Sequence, residues 1–282
     1  MSAFGRVGRV ERVERAGRSE KITLEIQDLS ITYRGGGKEV FAVKNCSFSI
    51  SRGDVIGLVG ESGSGKTSVL MAIPRLLPTG TLVHGRILLG GQDITKRGER
   101  AMNELRWSRV ALVPQGAMNS FTPHLTIERH ITEVLNFHMK MSGRDGKSRA
   151  SELIGTVGLE RDILTRYAHE LSGGQKQRAA LALALACDPD FLLADEPTTA
   201  LDVITQKEVL ETISGLVRER DMGLLLVTHD LPIAAGVCDT LIVMKDGSIV
   251  ERGNSRQLIM APKQAYTCEL IEAIREMEGG HA

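Results

Sequence analysis

Gly60-Glu61-Ser62-Gly63-Ser64-Gly65-Lys66-Thr67 fits the pattern G-x-x-x-x-G-K-[ST]. The apolar run Val55-Ile56-Gly57-Leu58-Val59 before it reads as a buried strand. Residues 68–77 after it read as a helix ended by Pro78 and Gly80. Strand, glycine loop and helix together form a cradle for polyphosphate. Gly60, Gly63 and Gly65 let successive backbone N–H groups turn inward toward an anion. Lys66 can reach the β- and γ-phosphates, and the Thr67 hydroxyl can ligate Mg²⁺. Glu61, Ser62, Ser64 and Ser68 complete the candidate nucleotide-binding set.

Working outward, Phe191-Leu192-Leu193-Ala194-Asp195-Glu196 is an apolar strand ending in two carboxylates. Asp195 is placed to hold Mg²⁺ through water. Between the two motifs lies Leu171-Ser172-Gly173-Gly174-Gln175, which opens a helix and offers a second anion site at its amino terminus. After Pro189, strand and helix patterns alternate through residues 191–194, 205–220, 224–227, 231–237 and 241–244. That alternation predicts an α/β fold with a mainly parallel sheet and crossover helices. Residues 86–90 and 109–113 add strands, and residues 116–180 form a helical insertion, broken at Ser142-Gly143 and at Gly146. Upstream, Leu24, Ile26, Leu29 and Ile31 alternate as a strand, and a second short run carries Phe48 and Ile50, with Gly35-Gly36-Gly37 as the turn between them.

Lys plus Arg and Asp plus Glu both number 35, so the formal net charge is zero. That balance argues against a nucleic-acid binder relying on a broad basic surface. The longest apolar run, residues 179–187, is too short for the ~20 residues a membrane span needs. The four cysteines, Cys46, Cys187, Cys238 and Cys268, show no metal-site spacing and are expected to be reduced thiols. Residues 1–21 carry Arg6, Arg9, Arg12, Arg15 and Arg18 at every third position. They read as a flexible, solvated extension or as a contact for acidic lipid headgroups.

Phosphate loop, LSGGQ and strand-Asp-Glu, in that order, resemble the ATP-binding cassette (ABC) family over residues 22–267. The resemblance implies a P-loop NTPase cassette with a mainly parallel core sheet, an antiparallel β region and a helical subdomain. It implies a nucleotide-binding domain over 22–255, its helical part at about 116–180, and a short helical tail over 256–282. It assigns Glu196 to polarise the attacking water, Gln115 to Mg²⁺ and the water, and His229 to the γ-phosphate. It places Tyr33 on the adenine. It gives Leu171, Ser172, Gly173, Gly174 and Gln175 to the ATP of a facing subunit, in a head-to-tail dimer with two ATPs sandwiched. Asp202, in Ala200-Leu201-Asp202, matches the loop through which the halves communicate.

Val113-Pro114-Gln115-Gly116-Ala117-Met118-Asn119-Ser120-Phe121-Thr122-Pro123 resembles the dipeptide, oligopeptide and nickel uptake ATPases. Residues 261–267 partly match their C-terminal motif, with Gln264-Ala265 where His-Pro is usual. The implied function is an importer ATPase at the cytoplasmic face of the membrane, peripheral to it, hydrolysing Mg·ATP for uptake of a small peptide or metal chelate. Its implied partners are a second cassette, two membrane permease subunits and, indirectly, an extracytoplasmic substrate-binding protein. The alternative is a soluble ATPase subunit of a cytosolic complex resembling carbon–phosphorus lyase. With only Cys268 in the tail, no iron–sulfur cluster is expected.

Overall fold

The computed structural model describes residues 22–35, 37–117, 120–199 and 201–279. The arginine-bearing residues 1–21 lie outside them.

Strands β1 (Thr23–Gly35) and β2 (Lys38–Ser51) form a long antiparallel hairpin. The second strand runs 14 residues, well beyond the short run expected around Phe48. Its first four residues are exposed, and Val40-Phe41-Ala42-Val43 run on without alternation, so the pattern hides this half. In β1, Ile26 and Leu29 are three apart, yet both are buried, at 1% and 0% exposure. A register shift between them, with Asp28 at φ 51°, restores the inward face for Leu29 and Ile31.

Strand β3 (Val55–Val59) leads through the phosphate loop into α1 (Lys66–Ala72). The helix stops before the expected residue 77. Pro74 lacks the N–H needed to continue the ladder. Arg75 turns left-handed at φ 57° and Leu76 N–H bonds Met71 O at 2.9 Å, closing the helix C-terminus. Strands β4 (Leu82–Leu89) and β5 (Gln92–Asp93) join the hairpin in an antiparallel sheet of order β2-β1-β4-β5.

Helix α2 (Glu99–Leu105) and strand β6 (Val110–Val113) precede the insertion, which holds α3 (Ile127–Met139) and α4 (Gly143–Thr156). The break at Ser142-Gly143 is present. Gly146 is not a break: it is buried inside α4, where an added Cβ would meet Thr132 of α3 at 3.7 Å. Helix α5 (Gly173–Ala184) returns the chain to the core. There follow β7 (Phe191–Asp195), α6 (Val203–Glu219), β8 (Gly223–Thr228), α7 (Leu231–Val237), β9 (Thr240–Lys245), β10 (Ser248–Asn254), α8 (Ser255–Met260) and α9 (Ala265–Gly279).

The second sheet has the order β10-β9-β3-β8-β7-β6, parallel except for β10. Its central strands β3, β7 and β8 are buried throughout. They separate two cores, because successive side chains point to opposite faces. Leu192, Ala194, Leu224 and Leu226 enter the core shared with the helical insertion. Phe191, Leu193, Leu225 and Val227 enter the core shared with the antiparallel sheet. The three buried thiols, Cys46, Cys187 and Cys238, are unpaired, and burial pushes those of Cys46 and Cys238 up to about 12.

Candidate nucleotide site

The carboxyl ends of the parallel strands converge on one edge. The phosphate loop follows β3, Gln115 follows β6, Asp195 ends β7, His229 follows β8, and Asp246-Gly247 follows β9. In open α/β sheets such a strand-end crevice is where ligands sit.

The loop's glycines are required by geometry. Gly60 has φ 146°, and a Cβ there would fall 2.2 Å from Met244 O. A Cβ on Gly65, at φ 100°, would fall 2.3 Å from Ala42 O. Gly60→Ala is therefore expected to cost about 2 kcal/mol or more, from strain and a backbone clash, and thermal melting of the variant checks it.

Lys66 is 5% exposed and curls over the loop. Its ammonium donates to Gly60 O at 2.8 Å, Glu61 O at 2.7 Å and Ser64 Oγ at 3.3 Å. Burial lowers its pKa, while Glu196, Asp195 and Glu61 oppose that shift. Thr67 Oγ1 donates to Asp195 Oδ1 at 3.1 Å. Asp195 is 1% exposed, and its other oxygen, Oδ2, is buried with no hydrogen-bond partner. Burial and the Glu196 charge raise the Asp195 pKa; the Thr67 bond and Lys66 oppose them. An orphaned buried carboxylate oxygen is costly unless a cation or bound water meets it. With Thr67 beside it, the donor set is oxygen-only, as hard Mg²⁺ prefers.

Glu196 sits one residue beyond β7 in the left-handed region, at φ 43°, its N–H bonded to Val227 O at 2.8 Å. Its carboxylate is held from three sides. His229 Nδ1 lies 3.0 Å from Oε1. Gln115 Nε2 and Thr199 Oγ1 each donate to Oε2 at 3.1 Å. A non-glycine residue fixed at positive φ by such partners is strain of the kind found at functional sites.

These groups face a cavity of about 490 Å³ lined by Tyr33, Ser62, Gly63, Gly65, Lys66, Thr67, Ser68, Gln115 and Glu196. The Tyr33 hydroxyl donates to Ser68 Oγ at 2.9 Å, which fixes the ring above the start of α1. Val40, Phe41, Ala42 and Lys44 of β2, with Asp246 and Gly247, complete the wall. The sequence reading missed all of these. Phe41, 61% exposed, was the available signal: a large apolar side chain on a hairpin already flanked by Tyr33.

LSGGQ lies elsewhere. Ser172, Gly173, Gly174 and Gln175 line a second concavity of about 500 Å³ with Leu201, Asp202, Thr205, Arg178 and Glu208. Leu171 is buried beneath it. Ser172 Oγ accepts from Gln175 N at 3.2 Å, and Gln175 Oε1 accepts from Ser172 N at 3.0 Å, a capping box on α5. Asp202 caps α6, accepting from Thr205 N at 3.0 Å and Thr205 Oγ1 at 2.7 Å. The two helix starts touch: a Cβ on Gly174 would lie 2.7 Å from Thr205 Cγ2. The structure thus brings the sequence-derived residues together in two separate groups.

The phosphate-loop cavity at the strand ends marks a class of nucleotide-binding protein, and comparison with known proteins agrees. Residues 43–199 match the ABC transporter family model. The chain is 38% identical, over 90% of its length and 78% of the relative's, to the probable D,D-dipeptide transport ATP-binding protein DdpD of Escherichia coli (strain K12). It is 38% identical to the oligopeptide transport ATP-binding protein OppD of Bacillus subtilis (strain 168), covering 90% of this chain and 72% of the relative. It is 41% identical to the peptidoglycan transport ATP-binding protein YejF of Agrobacterium fabrum (strain C58 / ATCC 33970), covering 92% of this chain but only 48% of that protein. The dimeric, post-hydrolysis structure of the ATP-binding cassette MJ0796, bound to ADP and Pi, superposes with TM-score 0.74 at 30% identity, covering 83% of this chain and 99% of that one. The chain belongs to the ABC transporter family and is an ATP-hydrolysing cassette.

Proposed function

We propose that this chain is the ATPase subunit of an importer and drives uptake of a small peptide through partner membrane subunits. The observation that carries the hydrolytic half is Glu196, whose carboxylate opens on the same cavity as the phosphate loop and is oriented by His229, Gln115 and Thr199. The names of the dipeptide and oligopeptide transport relatives favour a peptide over nickel or another chelate as cargo.

ATP lies with its triphosphate in the loop and its adenine on Tyr33. Lys66 leaves the loop carbonyls for the β- and γ-phosphates. Water attacks the γ-phosphorus, its proton passes toward Glu196, and the bond to the bridging oxygen breaks to release ADP and phosphate. Gln115 and His229 hold Glu196 and the water in line, so catalysis is mainly positioning and charge stabilisation. Thr67 and Asp195 would hold Mg²⁺, which neutralises phosphate charge when bound.

LSGGQ and Asp202 serve the ATP of a second cassette, a copy or a paralogue, in a head-to-tail pair at the cytoplasmic face of the membrane. Co-purification with two polytopic membrane proteins tests the importer reading; a stable soluble enzyme complex without them would replace it. Lys66→Ala is expected to weaken ATP binding by roughly 10²-fold, removing a buried, charge-assisted contact. Nucleotide titration of the purified variant checks this, and unchanged affinity would dismiss the phosphate-loop assignment.

A further inference from the structure

The phosphate loop is gripped from behind by the carboxyl-terminal part of the chain. Gly60 packs on Met244 O of β9, and Gly247 N–H of the turn after it donates to Ser64 O at 3.2 Å, so the end of β9 and this turn brace both ends of the loop's first half. A third brace comes from α9. Tyr266, 8% exposed, accepts a hydrogen bond through its hydroxyl from Glu61 N–H at 3.3 Å. Glu61 is the second residue of the phosphate loop. Its N–H is engaged by Tyr266, and Glu61 is not among the residues that line the nucleotide cavity.

The tyrosine is itself held. Lys245 Nζ lies 4.3 Å from the centre of its ring. The start of α9 is fixed by Glu251 of β10, whose Oε1 accepts from Lys263 N at 2.9 Å and whose Oε2 accepts from Gln264 N at 3.1 Å. Burial first, then the Glu61 and Asp246 charges, push the Tyr266 phenol above its ordinary pKa, while the Glu61 N–H pulls it down. The hydroxyl therefore stays neutral at neutral pH. The apolar side of α9, with Ile271 at 4% exposure, packs into the core that also lies beneath the helical insertion.

We propose that Tyr266 is a positioning residue of the nucleotide site: it ties α9 to Glu61 and holds the phosphate loop in its anion-binding shape before ATP arrives. The proposal rests on the ATPase reading above. Preorganisation of this kind raises affinity by removing an ordering cost, without touching the chemical step. Loss of the tie should therefore raise KM and spare kcat.

Tyr266→Phe deletes only the hydroxyl and keeps the ring beneath Lys245. Its KM for Mg·ATP should rise about threefold to tenfold, the range of one hydrogen bond. Its kcat should stay within about twofold, and the Glu61 amide should exchange faster in the nucleotide-free protein. Ile271→Val, on the same helix, is the control for general loosening: it should lower the melting temperature and leave KM unchanged. An unchanged KM in Tyr266→Phe overturns the proposal. So does a KM that rises equally in Ile271→Val, because the effect is then merely structural. Failure of the wild-type chain to bind ATP would instead remove the ATPase reading itself.

Discussion

Glu196→Gln will bind ATP as tightly as the wild type and lose nearly all turnover. A general base contributes roughly 10²–10⁴-fold, and the amide cannot accept the proton. It does keep the shape of the carboxylate and one acceptor oxygen. It can therefore still accept from Gln115 or Thr199, and the left-handed turn at φ 43° is undisturbed. Steady-state phosphate release should fall at least 10²-fold, with ATP affinity by direct titration within about threefold. Hydrolysis within fivefold of wild type would take the base role from Glu196 and leave it as a strut for His229.

The second large effect is expected at Ser172. Its hydroxyl caps α5 and faces the concavity of LSGGQ and Asp202, away from the cavity that holds Lys66. Ser172→Arg fills that concavity with a long cation. ATPase activity should drop about 10²-fold or more, whereas ATP binding to the single subunit should change less than threefold. Loss of the cap alone costs about 1 kcal/mol, so Ser172→Ala is the control: a slightly lower melting temperature and substantial residual activity. If the arginine variant hydrolyses ATP normally, at a rate per molecule independent of protein concentration, the site is complete within one subunit.

Much of this was legible residue by residue. Gly60, Gly63 and Gly65 need positive φ, and they have it. The apolar runs at 55–59, 191–194 and 224–227 read as strands, and they lie within buried strands whose two faces are both covered. The errors have local causes. Gly146 looked like a breaker, but it lies buried inside α4, where even an added Cβ would make only ordinary contacts, at 3.5 Å or more, so the packed helix simply absorbs glycine's modest cost. Residues 38–42 were not read as strand because an exposed hairpin arm needs no alternation, and so Phe41 was missed. β10, whose residues are only partly buried, went unread for the same reason.

The sequence by itself determined the class of chemistry: a phosphate cradle, two strand-end carboxylates and a second glycine-opened helix, each written within a few consecutive residues. Tertiary structure alone decided which of these face one another. Gln115, Thr199 and His229 meet on Glu196, and LSGGQ meets Asp202 in a separate concavity. The reach of Tyr266 back to Glu61 is likewise a product of folding. The physical reason is one of range. Glycine torsions and strand burial are set by near neighbours along the chain. A hydrogen bond between residues 205 positions apart exists only once a packed sheet has brought them together.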